Sequence, residues 1–264
     1  MVRVALAQIA STREPQNNLD AMRAILEDVG QGADLVVFPE CSMSIDSLEA
    51  IAARAEELDG PFVSGLRAAA ATSGVNVVFT MWEKVPGTGA RAYNTLVVLG
   101  RNGSIVGVYR KVHMYDAFGF TESRFIQPAD EIRPLTVDIE GLKFGMAICY
   151  DLRFPETSRA LADDGADVLL LPSAWMPGPR KEDHWSTLLR ARAIENTAYA
   201  IGVNQAAAPH QGGSLAVDPD GLVLAQLRSE SQVAIVYLDS ETIAQARRRN
   251  PSLANRRYQV TALA

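Results

Sequence analysis

The stretch Phe144-Gly-Met-Ala-Ile-Cys149 is an apolar run that ends in a thiol, and Tyr150-Asp-Leu-Arg-Phe-Pro-Glu156 follows it directly. The run predicts a buried strand over Leu142 to Cys149, and the polar residues after it predict a turn. A helix from Pro155 to Asp164 comes next, with proline at its start, where a missing N–H costs nothing. Ala166 to Leu171 then reads as another strand. A thiol at the last residue of a buried strand sits on rigid backbone yet opens toward a cleft, where its sulfur can attack a carbonyl or a nitrile.

Working outward, Val2 to Ile9 predicts the first strand, and Ala33 to Phe38 a second that ends at Pro39-Glu40. Between them Asn17 or Asn18 caps a helix that carries Met22, Ile25, Leu26 and Val29 at helical spacing. A helix from about Pro61 to Thr72 leads into a strand at Val75 to Met81. The loop Val85-Pro-Gly-Thr-Gly89 follows, then strands at Tyr93 to Leu99 and Ile105 to Tyr109 about a turn at Asn102-Gly103. Residues 113–132 form a long, turn-rich loop of the kind that usually serves function. A helix from about Glu182 carries Trp185, Leu188 and Leu189 on one face. Four strands are expected near 199–204, 213–217, 222–227 and 232–238, then a short helix and an irregular tail.

Strand-helix alternation in both halves predicts a layered α/β (α+β) domain with helices covering the sheets. No composition break, low-complexity tract or solenoid repeat divides the chain, so residues 1–264 read as one domain.

The formal net charge of −6 argues against nucleic acid as a partner, because that role calls for a basic face. Two short basic clusters, Arg247-Arg-Arg249 and Arg256-Arg257, suit salt bridging or subunit contact better than phosphate binding. The only cysteines are Cys41 and Cys149, which rules out a disulfide framework and fits a reducing, cytoplasmic setting. The N-terminal run is too short for a signal segment, and no apolar stretch reaches the length of a membrane span.

Three residues carry candidate chemistry. Glu40 emerges from the end of an apolar strand, where partial desolvation suits a general base. Lys111 follows the strand at Ile105 to Tyr109, and its ammonium is suited to stabilising an oxyanion and a nearby thiolate. Cys149 is the nucleophile candidate. Each alone also has an ordinary reading, respectively an arginine-paired carboxylate, a surface lysine and a small core residue. What they share is a place at or just beyond a predicted strand end, where α/β folds gather their sites.

Phe38-Pro-Glu40, Tyr109-Arg-Lys-Val-His113 and Ile148-Cys-Tyr-Asp-Leu-Arg-Phe-Pro-Glu156 resemble the three signature segments of the nitrilase superfamily of carbon-nitrogen hydrolases. Supporting matches include Tyr93-Asn-Thr95, Glu122-Ser123, Gly165-Ala-Asp167, Ala191-Arg-Ala-Ile-Glu-Asn196 and Asp218-Pro-Asp-Gly221. Ala129 departs from the pattern, since glycine commonly follows the proline that stands here as Pro128. The resemblance implies a four-layer α-β-β-α sandwich, a Glu40-Lys111-Cys149 triad and a second acid, Glu122, that orients the lysine or the substrate amide. It implies oxyanion contacts from Lys111 and the backbone N–H of Tyr150, no cofactor or metal, and a homodimer or higher homo-oligomer with the segment from about residue 245 crossing between subunits.

Tyr115-Asp-Ala-Phe-Gly-Phe-Thr-Glu122 resembles the branch of deaminated glutathione amidases and ω-amidases. The implied reaction is hydrolysis of a small carboxylate-bearing amide through a cysteine thioester, with release of ammonia. Nitrile hydrolysis, N-carbamoyl amino acid hydrolysis and a non-catalytic binding module remain open alternatives. Tyr115, Tyr150 and Trp175 are expected to contact the substrate, with core packing the other reading of Trp175. Arg153 is expected to pair with an acid inside the fold, though it and Arg180 are also of a type to bind a substrate carboxylate. Cys41 reads as structural, and His113 as a loop hydrogen-bonding residue in preference to a Cys-His dyad. The histidines are too scattered for zinc spacing, and Gly87-Thr-Gly-Ala-Arg-Ala92 bridges two strands, so it is not a dinucleotide loop.

Overall fold

The structure, a computed structural model, describes residues 1–29, 31–88 and 91–262. Its elements in chain order are β1 (Val2–Gln8), α1 (Pro15–Val29), β2 (Leu35–Val37), α2 (Leu48–Ala53), α3 (Pro61–Ser73), β3 (Asn76–Lys84), β4 (Ala92–Leu99) and β5 (Ile105–Arg110). There follow β6 (Ile126–Gln127), β7 (Leu135–Ile139), β8 (Leu142–Met146), α4 (Pro155–Asp163), β9 (Val168–Ser173) and α5 (Lys181–Asn196). The chain closes with β10 (Tyr199–Asn204), β11 (Leu215–Val217), β12 (Val223–Gln226), β13 (Gln232–Leu238) and α6 (Ser240–Arg249).

The strands form two sheets. One runs β13-β1-β2-β3-β4-β5, with β6 added beside β4, and the other runs β12-β11-β10-β9-β8-β7. At the centre of each lies a parallel trio, β1-β2-β3 in the first and β8-β9-β10 in the second.

Alternation along the strands sets the layers. Val2, Val4 and Leu6 of β1, with Val78 of β3, share one core with Phe144, Met146 and Ile201 of the second sheet. The opposite faces, through Ala5, Ala7, Val77 and Phe79, bury against Met22 and Leu26 of α1 and Phe62 and Leu66 of α3. Leu161 of α4 and Trp185 and Leu189 of α5 cover the outside of the second sheet. A period-two strand with two apolar faces needs a partner on each side, which gives the α-β-β-α order.

Several boundaries differ from the sequence reading, each for a local reason. Helix α1 opens at Pro15, so Asn17 and Asn18 lie inside it. Asn18 does not cap it; the amide donates to the Thr12 and Met43 carbonyls at 2.9 and 2.8 Å and accepts from Thr12 N. Strand β8 stops at Met146, three residues before Cys149, which instead begins a 3-10 turn, Cys149–Arg153. The turn forms because the Asp151 carboxylate takes the Ile148 N–H at 2.9 Å and removes it from the sheet.

Helix α2 and strand β7 were not expected. Ser47 Oγ caps α2 by accepting from Ala50 N, and Glu140-Gly141, both at positive φ, turns β7 back onto β8. Such a pair is a two-residue hairpin signal. The loop expected at 85–89 and the Gly87 to Ala92 segment fall in part on residues 89 and 90, outside the described residues, as do the last two residues of the tail. The segment from about 245 begins inside α6, and only beyond Arg249 is it irregular.

Candidate active site

The two parallel trios bring their C-terminal ends to one rim, and the candidate residues meet there. Glu40 lies three residues past β2 and Lys111 one past β5. Both are buried, at 4% and 2% exposure. Glu40 Oε1 accepts from Lys111 Nζ at 3.0 Å and from Asn94 Nδ2 at 2.7 Å, and its Oε2 accepts from the Ala174 N–H at 2.9 Å. Three donors therefore fix this carboxylate in orientation.

Glu122 starts a short 3-10 turn, Glu122–Arg124, within the long loop and is also buried. Its two oxygens accept from Lys111 Nζ at 3.1 and 2.9 Å, and Oε2 accepts again from Tyr115 N at 2.6 Å. Lys111 thus bridges two carboxylates. Burial alone pushes its ammonium down, but the charges of Glu122 and Glu40 overcome that and hold it well above its ordinary value.

Cys149 lines the same cavity as Glu40, Lys111 and Glu122, a space of about 230 Å³. Its φ of +45° is unusual for a residue other than glycine, and such backbone persists only where the surroundings enforce it. Burial pushes the thiol well above its ordinary value, Glu40 pushes the same way through charge and a hydrogen bond, and Lys111 opposes. The sulfur therefore shares its cavity with a carboxylate that disfavours the thiolate and a lysine that favours it.

Tyr115, Tyr150 and Trp175 all reach the cavity wall. The rings of Tyr115 and Tyr150 meet edge to face at 5.1 Å. Trp175 is 3% exposed and packed on Trp185, and it also lines the cavity. Cys41, read as structural, stands in that wall too.

Arg153 corrects an expectation. It has no acid partner among the described residues; Nε and Nη2 are buried without a hydrogen bond, and the guanidinium lies over Trp175 at 4.8 Å. The reason is local, since the 3-10 turn aims residue 153 into the cavity, where the carboxylates of Glu40 and Glu122 bond Lys111 and form no ion pair with it. Arg180 stands at the surface beside Asp183 and does not line the cavity.

Three contributors escaped the sequence reading. Asp151, fully buried, accepts from the Ile148 N–H and the Tyr109 hydroxyl and contacts His113 Nδ1 at 2.7 Å. Asn94 lay within a quoted motif, Tyr93-Asn-Thr95, without a role. Lys181 is 5% exposed and faces the cavity. His113 bonds Asp151 and stacks on Phe154 at 3.7 Å, away from the thiol's cavity.

A model of the carbon-nitrogen hydrolase family matches residues 3–248. A deaminated glutathione amidase of Escherichia coli O157:H7 is 37% identical over 258 residues, 97% of each chain. The mouse protein of the same name is 32% identical, across 96% of this chain and 83% of its own. A CN-hydrolase superfamily structure from Xanthomonas campestris, with an arsenic adduct in its active site, superposes with a TM-score of 0.88 at 29% identity, covering 99% of both chains. An amidase from Nesterenkonia, solved after addition of acrylamide to its active-site cysteine, gives a TM-score of 0.82 at 28% identity, covering 96% of this chain and 98% of that one. With the fold, the matched signature segments and these relatives together, the chain belongs to the carbon-nitrogen hydrolase family and is a hydrolase of carbon-nitrogen bonds.

Proposed function

We propose that the protein is an amidase that cleaves a small carboxylate-bearing amide through a thioester on Cys149. The observation that carries this reading is Lys111 bridging Glu40 and Glu122 at 2.9–3.1 Å in the wall of the cavity that holds the thiol. Glu40 takes the thiol proton as sulfur bonds to the amide carbon. Lys111 and the Tyr150 N–H hold the oxyanion. When the C–N bond breaks, the amine leaves with the proton from Glu40. The same carboxylate then deprotonates a water, which attacks the thioester and releases the acid. Sulfur departs with the proton that Glu40 returns. Glu122 keeps Lys111 charged and in place.

Relatives named deaminated glutathione amidase support an amide carrying an acid on its acyl chain as the first class to assay. A cytoplasmic location fits the absence of disulfide pairs, and among the described residues no helix is long and apolar enough to cross a membrane. A homodimer is also proposed, with α4 and the segment beyond Arg249 at the contact; that segment and α4 already border one groove. Light scattering tests it.

The decisive experiment mixes the protein with a panel of amides and follows intact mass and ammonia. An acyl adduct that disappears in Cys149→Ala is expected. No adduct and no ammonia across the panel would leave a non-catalytic binding module as the better reading.

A further inference from the structure

Two ammonium groups reach the cavity, and they are treated in opposite ways. Lys111 has two carboxylates. Lys181, nearly as buried, has none among the described residues; the Tyr115 hydroxyl accepts from its Nζ at 2.7 Å and the Phe118 ring faces it at 4.0 Å. Arg153 beside it also lacks an acid, with Nε and Nη2 unbonded. Burial pushes the Lys181 ammonium down, and Arg153 pushes it further in the same direction.

A buried cation without a counter-charge is costly, and two together cost more. Packing alone does not account for the arrangement, because a ring-stacked ammonium needs no second cation at its side. The backbone is also built to hold Lys181 in this position. Trp175 Nε1 donates to the Lys181 carbonyl at 2.9 Å. Gly178, at φ +153°, lets the lysine stem pass where a Cβ would come within 3.3 Å of Lys181 Cγ. A site held ready in this way loses little freedom on binding.

We propose that Lys181, steadied by Tyr115, pairs with Arg153 to form the subsite that binds the substrate's carboxylate, so that Lys181 selects acidic over neutral amides. The proposal rests on the amidase reading for its substrate, but the subsite has a readout that needs no turnover. The carboxylate sits between the two cations and offsets their mutual repulsion, while the amide carbon reaches Cys149 in the same cavity.

The test uses dicarboxylates from malonate to adipate as probes, bound to full-length Cys149→Ala and followed by calorimetry. At least one is expected to bind, and adding Lys181→Met is expected to weaken it tenfold or more, while Lys181→Arg retains most of the affinity. In the enzyme with Cys149 intact, Lys181→Met is expected to lower the ratio of kcat/KM for succinamate over its neutral isostere succinamide at least tenfold, chiefly through KM. Equal loss on both amides, unchanged dicarboxylate affinity in Lys181→Met, or no dicarboxylate binding at all would overturn the subsite. Turnover with no dependence on Lys181 removes the subsite and leaves the amidase. Lys181-dependent dicarboxylate binding without turnover of any amide does the reverse.

Discussion

The Tyr109 hydroxyl donates to Asp151 Oδ2 at 2.8 Å, joining the last strand of one sheet to the turn that carries Cys149 on the other. Tyr109 lies two residues before Lys111 and Asp151 two after Cys149, so a single bond ties the lysine strand to the nucleophile's turn. The same carboxylate takes the Ile148 N–H and the His113 ring and is fully buried.

Asp151→Asn should therefore act on position more than on chemistry. Its amide keeps one accepting oxygen and turns its NH2 either toward Ile148 and Tyr109, which share Oδ2, or toward His113 on Oδ1, leaving buried donors unsatisfied. The expected cost is about 2–4 kcal/mol of stability, read by denaturant unfolding. Tyr109→Phe, which removes one donor and leaves Asp151 the Ile148 N–H, the His113 N–H and the His113 ring, should cost about 1 kcal/mol. In both, kcat should fall more than KM rises. An Asp151→Asn protein with full stability and full kcat would show that the turn holds itself.

Glu40 and Lys111 push the Cys149 thiol in opposite directions, and this gives a paired prediction. The Cys149 thiol stands above its ordinary value through burial first, then through Glu40, with Lys111 opposing. Glu40→Gln should lower the pH at which Cys149 ionises, and Lys111→Met should raise it. The measurement is the pH dependence of iodoacetamide alkylation, with Cys149 resolved from Cys41 by peptide mapping. Amide hydrolysis should nevertheless fall in both, by roughly 10²–10⁴ for the loss of the base. A more ionised but inactive thiol in Glu40→Gln would separate the carboxylate's work as base from its electrostatic effect. A shift in the same direction for both variants would contradict the geometry.

The legibility of this molecule in its sequence follows the range of each interaction. Strands β10 and β13 were bounded correctly because a short, largely apolar run is a local signal. The early end of β8 was hidden, because it depends on a side chain, Asp151, competing with the sheet for one N–H. Glu40, Lys111, Glu122 and Cys149 were found through motif resemblance, and the structure brings them to one cavity. Arg153 was misjudged because its partners, Trp175 and Phe118, come from loops far along the chain. Lys181 gave no signal, since a lysine at a helix start reads as solvated until the loop carrying Tyr115 closes over it.

The wall that holds those cations depends on a close approach between α5 and β10. A Cβ on Gly202 would lie 2.5 Å from Cη2 and Cζ2 of Trp185 and 2.9 Å from Leu189 Cδ1. Trp185 is itself tied by Nε1 to the Gly213 carbonyl at 2.7 Å and packs on Trp175 at 5.3 Å. It cannot retreat without breaking that bond or moving the cavity wall. Gly202→Ala should therefore cost about 1–3 kcal/mol by overpacking, a Tm loss of roughly 2–4 °C per kcal/mol in a chain of this size. It should also raise KM for an acidic amide, because Trp175 carries Arg153 on its face and holds the Lys181 carbonyl. Trp185→Phe frees the space the new methyl needs, so the double variant should be more stable than the sum of the two single losses implies. Additive losses in that cycle would mean that the methyl is accommodated elsewhere and that α5 does not set the position of the wall.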